Sequence, residues 1–424
     1  MGRAKPPASL RARLGKGFSH TFLDRRAVNR ESPIATRQST ARIRFDRNEA
    51  AGSLGDLGTF IPLLVGMVSK CGLQLGPTLL ATGAMNIVTG LLFRIPMPVQ
   101  PMKAIATVAI AEGLRESEII SAGVITGAVI LVLGLTGMIN WINAVIPKSV
   151  VRGLQLALGL KLLTRGFEMI ADTEVLIGWD SIGLGVICAA LVLLFYFSRR
   201  VPGALVVFGI GLIALLAADP ALLGRTRVGM SWHLPALGDW TDWKIGLWQG
   251  ALPQIPLTTL NSVVAVCALS VDLFPKHPAA PRRVAISVGL MNLICCPLGA
   301  MPMCHGAGGL AAQHRFGART GGSVIMLGGA KIVLAVLLGG SLLEWLQAYP
   351  QSVLGVLLLF SGLELALVCR DQRARGDFFV MLITTGACLA INTAIGFVIG
   401  WLMAGLLVWG VLRLESPPGG TDTP

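Results

Sequence analysis

Charge is scarce in this sequence. Only 13% of its 424 residues are Asp, Glu, Lys or Arg, against 54% hydrophobic ones, a balance that excludes an average soluble domain. Tyrosine is almost absent, with two residues, whereas nine tryptophans mostly sit near the ends of apolar runs, as interfacial anchors do. The eight cysteines (71, 188, 267, 295, 296, 304, 369 and 388) lack paired spacing and lie almost all in apolar sequence, so free thiols are expected rather than a disulfide framework. Acids are also few, 22 against 35 Lys and Arg. Much of the resulting positive charge precedes Asn48 and the rest falls in short loops, a distribution that fits positive-inside membrane topology and gives no reason to expect nucleic acid as a partner.

What the sequence does have is a succession of apolar runs from about Leu54 to Leu412, roughly twelve to fourteen crossings at bilayer thickness. The chain therefore reads as an all-α polytopic membrane protein in a lipid bilayer. Residues 1–48 carry twelve Lys or Arg against three acids and no apolar core of signal-peptide length. A disordered cytoplasmic tail is expected there, with SLRARLGKGF as a weak amphipathic or organelle-targeting element.

The body repeats itself. IPKSVVRGLQLALGLKLL and YPQSVLGVLLLFSGLELAL align so that 203 residues separate Pro147 from Pro350 and Lys161 from Glu364; Met97-Pro98-Val99 returns as Met301-Pro302-Met303 after 204. Two halves follow, 49–218 and 246–413, with 219–245 as an external linker and 414–424 as a short tail. Lys and Arg concentrate in alternate loops, as expected if each half crosses seven times and both termini are cytoplasmic. An odd number of crossings turns the second half upside down, the inverted-repeat plan of secondary transporters.

Two stretches stand out within this plan. IPMPVQPMKAIATVAIAEG places Pro96, Pro98 and Pro101 ahead of a helix-forming run, so an extended approach meets a helix start inside the membrane; the alternative is an ordinary spanning helix kinked by proline. Its repeat partner, GAMPMCHGAGGLAAQHRFGARTGG, offers His305, Gly306, Ala307, Gly308 and Gly309 at a second helix start, where small residues let backbone N–H groups approach an anion. Gln100, Pro101, Met102, Lys103 and Ala104 line the first start, with Cys304 and His305 at the second. Lys103 in hydrocarbon requires water, a substrate or a carboxylate, or else snorkels from a shorter segment. Cys304 and His305, even with Cys295 and Cys296, fall short of a tetrahedral metal set, and no cofactor is expected.

Asp56 sits among glycines in GDLGTFIPLL, as a proton or cation partner or as a helix cap. Gln254, Thr258 and Asn261 lie on a later apolar helix, lining a pathway or bonding a neighbouring helix. Lys161 and Glu364 occupy equivalent positions with opposite charge and either pair with each other or leave Glu364 to carry a proton. Lys331 has no evident partner.

GDLGTFIPLL, PMPVQPMKAIA, QIPLTTLNSVVAVCAL and PMCHGAGGLAAQHRFGARTGG resemble the signature stretches of the MOT-type molybdate transporter family, a branch of the sulfate permease superfamily, over about Ala50 to Leu414. The resemblance implies the uracil permease and sulfate permease fold: inverted repeats of seven segments, a core and a gate domain each drawn from both repeats, and strand-plus-half-helix third and tenth segments starting at Pro101 to Ala106 and His305 to Leu310. The segments with Asp56 and with Gln254 to Asn261 become the first and eighth. No regulatory domain of the STAS type is expected after Arg413. The implied activity is molybdate import by alternating access, not catalysis, with Gln100, Thr258 and Asn261 as neutral donors and Lys103 as countercharge. Protons, carried by Asp56 or Glu364, and a second copy of the chain as a homodimer are candidate partners. The rivals are a sulfate or other oxyanion permease and a gated anion channel; the expected membrane is the cell membrane, with an organelle as alternative.

Overall fold

The computed structural model describes residues 42–139, 145–196, 198, 203–229, 232, 234–235, 237–338 and 341–412. The expectations for the tail before residue 42 and for 414–424 lie outside them.

The first segment, α1 (Arg47–Cys71), starts where it does because the Asp46 carboxylate accepts the N–H groups of Asn48 and Glu49, both at 3.0 Å, which fills two donors that a helix start leaves open. The buried Glu49 carboxylate in turn accepts from the N–H groups of Arg319 and Thr320 at 3.0 and 2.9 Å, and the Arg44 N–H donates to Thr320 Oγ1. The packed body thus begins before residue 49, earlier than the sequence suggests, since those partners lie some 270 residues downstream.

After α2 (Leu75–Phe93) the three prolines hold the chain extended into β1 (Gln100–Pro101), and only then does α3 (Lys103–Glu112) form. α4 (Glu116–Thr136), α5 (Lys148–Ala171), α6 (Ile182–Phe195) and α7 (Gly203–Ala218) complete the first half. The second half runs through α8 (Trp240–Leu273), α9 (Pro281–Cys295), β2 (Met303–Cys304), α10 (Ala307–Arg315), α11 (Gly322–Leu338), α12 (Gln351–Leu367), α13 (Arg375–Ala390) and α14 (Thr393–Val408). Among the described residues that makes seven segments in each half, with α3 and α10 as half-helices. Among the described residues five helices, α1, α2, α4, α8 and α12 extended to Asp371, are long and apolar enough to cross a membrane.

The packing repeats with the sequence. β1 and β2 pair antiparallel, Gln100 opposite Cys304 and Pro101 opposite Met303; α5 lies against α12, α2 against α11 and α4 against α9. Because α2 corresponds to α9 and α4 to α11, the last two contacts are one contact made twice, as a two-fold relation between inverted halves demands. The strands are antiparallel, so α3 and α10 leave them toward opposite ends of the molecule. At the α5–α12 crossing a Cβ on Gly159 would come 2.6 Å from the Gly362 carbonyl oxygen, and one on Gly362 2.5 Å from that of Gly159. Only glycine on both sides permits this approach.

Two details differ from the sequence reading. α8 begins at Trp240, ahead of residue 246, because Asp239 accepts from the N–H groups of Thr241 and Asp242. Lys161 pairs with Glu112, at the end of α3, and not with Glu364. Equivalent residues of an inverted repeat meet only close to its axis, and the tight glycine crossing turns these two away from each other.

Candidate functional site

The site forms where the half-helices begin. A helix start exposes N–H groups without intrahelical partners and the positive end of the peptide dipoles, about half a unit charge. Here two such starts face the middle of the molecule from opposite sides, separated by the short β1–β2 ladder, which the Met102 N–H extends by donating to the Pro302 carbonyl at 2.9 Å.

The two starts are not alike. In α3 the Gln254 side chain reaches across from α8, and its Oε1 accepts from the N–H groups of Ala104 at 2.8 Å and Ile105 at 3.3 Å. Gln254 is held by its own amide, which donates to Thr258 Oγ1 at 2.7 Å. It comes from an unusual helix: α8 widens into π-helical turns at Gly246–Ala251 and Thr258–Ala265, with Pro253 and Pro256 between them. Proline withholds a donor and crowds the carbonyl four residues back, and wide turns relieve that crowding. In α10 the N-cap is Gly306, which has no side chain to cap the helix, and among the described residues no side chain is seen to accept from its first N–H groups.

Glycine serves two purposes at this second start. A Cβ on Gly309 would lie 2.5 Å from Gln100 Nε2 and 2.7 Å from Asp56 Oδ1, and one on Gly306 would meet Gln100 Oε1. These two glycines make room for a buried pair: Gln100 Nε2 donates to Asp56 Oδ1 at 2.7 Å, with both residues fully buried. A Cβ on Gly308, in contrast, would meet nothing within 4 Å, and that residue is exposed.

Gly308 opens onto a cavity of about 500 Å³. Of the residues picked from the sequence, Lys103, Gln254, Asn261, Cys304, Gly306, Ala307, Gly308 and Glu364 line it. The others stand behind the lining. Pro101 and Met102 are buried in and after the ladder, and Ala104 has given its N–H to Gln254. Thr258 anchors Gln254, and Gln100, Gly309 and Asp56 pack together. His305 is fully buried, with Nδ1 against the Pro98 carbonyl at 2.8 Å and Nε2 against Ser287 Oγ at 2.9 Å, and it braces the extended approach to β1.

The sequence reading missed several cavity residues: Thr59, Thr107, Arg152, Gln155, Tyr196, Ser262, Arg315 and Ser361. A polar side chain in an apolar segment was the available signal for most of them. In the sequence Arg152 and Arg315 stand only among the Lys and Arg residues of the alternate loops. Arg152 is held by Asp371 Oδ2 at 2.7 Å and by Gln155 Oε1 at 2.7 Å, and Arg315 donates to the Ser198 carbonyl. Lys103 lies within electrostatic reach of both Glu364 and Asp56. Lys331, for which the sequence offered no partner, donates to Asn86 Oδ1 at 2.9 Å and lies 3.5 Å from the centre of the Phe60 ring.

A half-buried ammonium, the open start of α10 and hydroxyl and amide groups around a chamber of this size suit an oxyanion, whose oxygens are all acceptors. The inverted repeats and this chamber define a membrane transporter. The chain belongs to the molybdate transporter family: it matches the family described as "Molybdate transporter of MFS superfamily" over residues 48–162 and 246–365. It is 41% identical to Molybdate transporter 1 of Arabidopsis thaliana over 84% of this chain and 87% of that protein. With Molybdate transporter 2 of the same plant it shares 43% over 87% and 89%, and with Molybdate transporter 1 of Chlamydomonas reinhardtii 35% over 83% and 90%.

Among solved structures, SLC26A9 is similar with a TM-score of 0.65 at 13% identity, over 98% of this chain and 73% of that one. The transmembrane domain of the cyanobacterial bicarbonate transporter BicA gives 0.61 at 13%, over 86% and 98%. At that identity the likeness is one of fold, and the fold is that of the sulfate permeases.

Proposed function

We propose that the chain carries molybdate across the membrane by alternating access and that the chamber beside Lys103 is where the anion sits. Lys103 supplies one unit of countercharge, and the N–H groups at the start of α10 supply donors whose dipole adds ~0.3–1 kcal/mol, up to ~2 in a partly buried geometry. Asn261 and Ser262 stand on the wall beside them. The observation that carries this reading is the joining of Lys103 and the uncapped glycine start in one chamber.

The chamber runs from the half-helix starts to Arg152, Ser198 and Arg315. Those residues mark the end of the molecule rich in basic loops, which the positive-inside rule assigns to the cytoplasm, so the conformation is an inward-open one. Selectivity over the smaller sulfate would rest on chamber size. Asp56, with its Oδ2 buried and without a hydrogen-bond partner among the described residues, and Glu364, on the chamber wall, are the groups through which protons would couple. The cell membrane with both termini cytoplasmic is the default location.

Uptake of labelled molybdate into vesicles containing the purified chain tests this. Saturable uptake that resists excess sulfate and exceeds equilibrium under an inward proton gradient is the expected result. Uptake abolished by sulfate would make the chain a general oxyanion permease, and conductance without uphill accumulation would make it a channel.

A further inference from the structure

The ion pair that displaced the expected Lys161–Glu364 contact has a counterpart. Glu112 is the last residue of α3, and Lys161 is the fourteenth of α5. Advancing Lys161 by the 203-residue repeat gives Glu364, the fourteenth residue of α12, and the residue that ends α10 as Glu112 ends α3 is Arg315, although the two half-helix starts are offset by 204, α10 being one residue shorter than α3. The sequence therefore holds the same acid–base pairing twice, with the signs exchanged, at positions related by the inverted repeat.

The two pairs are in different states. Lys161 Nζ bonds Glu112 Oε1 with both side chains largely shielded, at 15% and 30% exposure. Arg315 and Glu364 both line the chamber; Arg315 donates to the Ser198 carbonyl at 3.3 Å, and Glu364 stands beside the Tyr196 phenol. Because α3 and α10 point to opposite ends, the closed pair lies at the end away from Arg152 and Ser198, and the other stands at the chamber's mouth.

We infer that these are the two gates of the transport cycle. Glu112–Lys161 ties the end of α3 to α5 while the chamber is open at the Arg315 end. When α3 and α10 move against α5 and α12 to open the other end, Glu112 parts from Lys161 and Arg315 closes on Glu364. Glu112 would otherwise be a poor choice: a carboxylate at a helix C-terminus opposes the dipole, and its pairing with Lys161 is what compensates. The sign exchange puts a cation, Lys161, and an anion, Glu364, at equivalent positions of α5 and α12, which pack on each other.

This rests on the alternating-access reading, and a test by cross-linking separates the two because it needs no transport. The full-length variant carrying Arg315→Cys and Glu364→Cys is treated in vesicles with a short bifunctional thiol reagent, beside each single-cysteine parent as control for the native cysteines. An intramolecular cross-link specific to the double variant is expected, and reduction of a cleavable reagent should return whatever uptake the untreated variant has. Absence of that cross-link in folded, monodisperse protein would overturn the inference, whether or not the wild type transports molybdate. Charge exchange at the other gate gives a second reading: Glu112→Lys and Lys161→Glu singly should each lower uptake at least tenfold, and the combination should recover to within threefold of wild type. A combination no better than the worse single variant would count against the gate.

Discussion

The starts of α3 and α10 arise from equivalent sequence yet have become different instruments. At α3 the N–H groups of Ala104 and Ile105 are filled by Gln254, and what the segment presents to the chamber is the Lys103 ammonium. At α10 no side-chain cap is seen among the described residues, and Gly306 and Gly308 present backbone to the same chamber. One start contributes a mobile full charge, the other a fixed set of donors. A symmetric pair of open starts would have offered more dipole and no net charge. For a dianion the unit charge matters, because an ion that leaves water for a confined chamber gives up far more hydration than a neutral polar group does, and a countercharge offsets that loss most strongly.

The widest separation between the two starts should appear on removing the charge. Lys103→Met is expected to lower molybdate affinity or uptake by roughly 30- to 4000-fold, the range of ~2–5 kcal/mol for a buried charge left without its partner, with little change in thermal unfolding. Next, Gly309→Ala against Gly308→Ala divides the structural glycine from the open one. Gly309→Ala meets Gln100 and Asp56 and should cost about 1–3 kcal/mol of stability, read as a lowered unfolding temperature. Gly308→Ala should leave stability within about 0.5 kcal/mol and shift only the preference between molybdate and sulfate.

Uncapping α3 sharpens the contrast further. Gln254→Ala leaves two buried N–H groups without their acceptor and is expected to cost ~1–3 kcal/mol in the same thermal assay. A smaller loss than that of Gln254→Ala should follow Thr258→Ala, which removes only the anchor of Gln254, at about 0.5–1.5 kcal/mol. If Gln254→Ala instead raised molybdate affinity without loss of stability, the α3 start would be a second anion site closed by its cap.

Much of this was legible in the sequence where chemistry is local. Pro96, Pro98 and Pro101 withhold donors whatever surrounds them, so the extended approach and the half-helix could be read directly, and the 203-residue offset exposed the inverted halves. The partners were not legible. Gln254 reaches Ala104 across 150 residues, from a helix whose π turns no periodicity announces. Lys161 and Glu364 matched by offset, but the repeat relates positions and does not bring them together. His305 and Gln100 looked like ligands because they are polar beside a helix start, and in the fold both brace the chamber from behind. Gly309 reads in the sequence as making room for a ligand, whereas a Cβ there would meet Gln100 and Asp56.

The central claim is the place of the anion, and the most direct measurement is a structure of the protein with molybdate, located through the anomalous scattering of molybdenum. The account predicts one peak in the chamber between Lys103 Nζ and the N–H groups at the start of α10, absent in Lys103→Met. A peak against Gln254 at the start of α3, or one that persists in Lys103→Met, would contradict it.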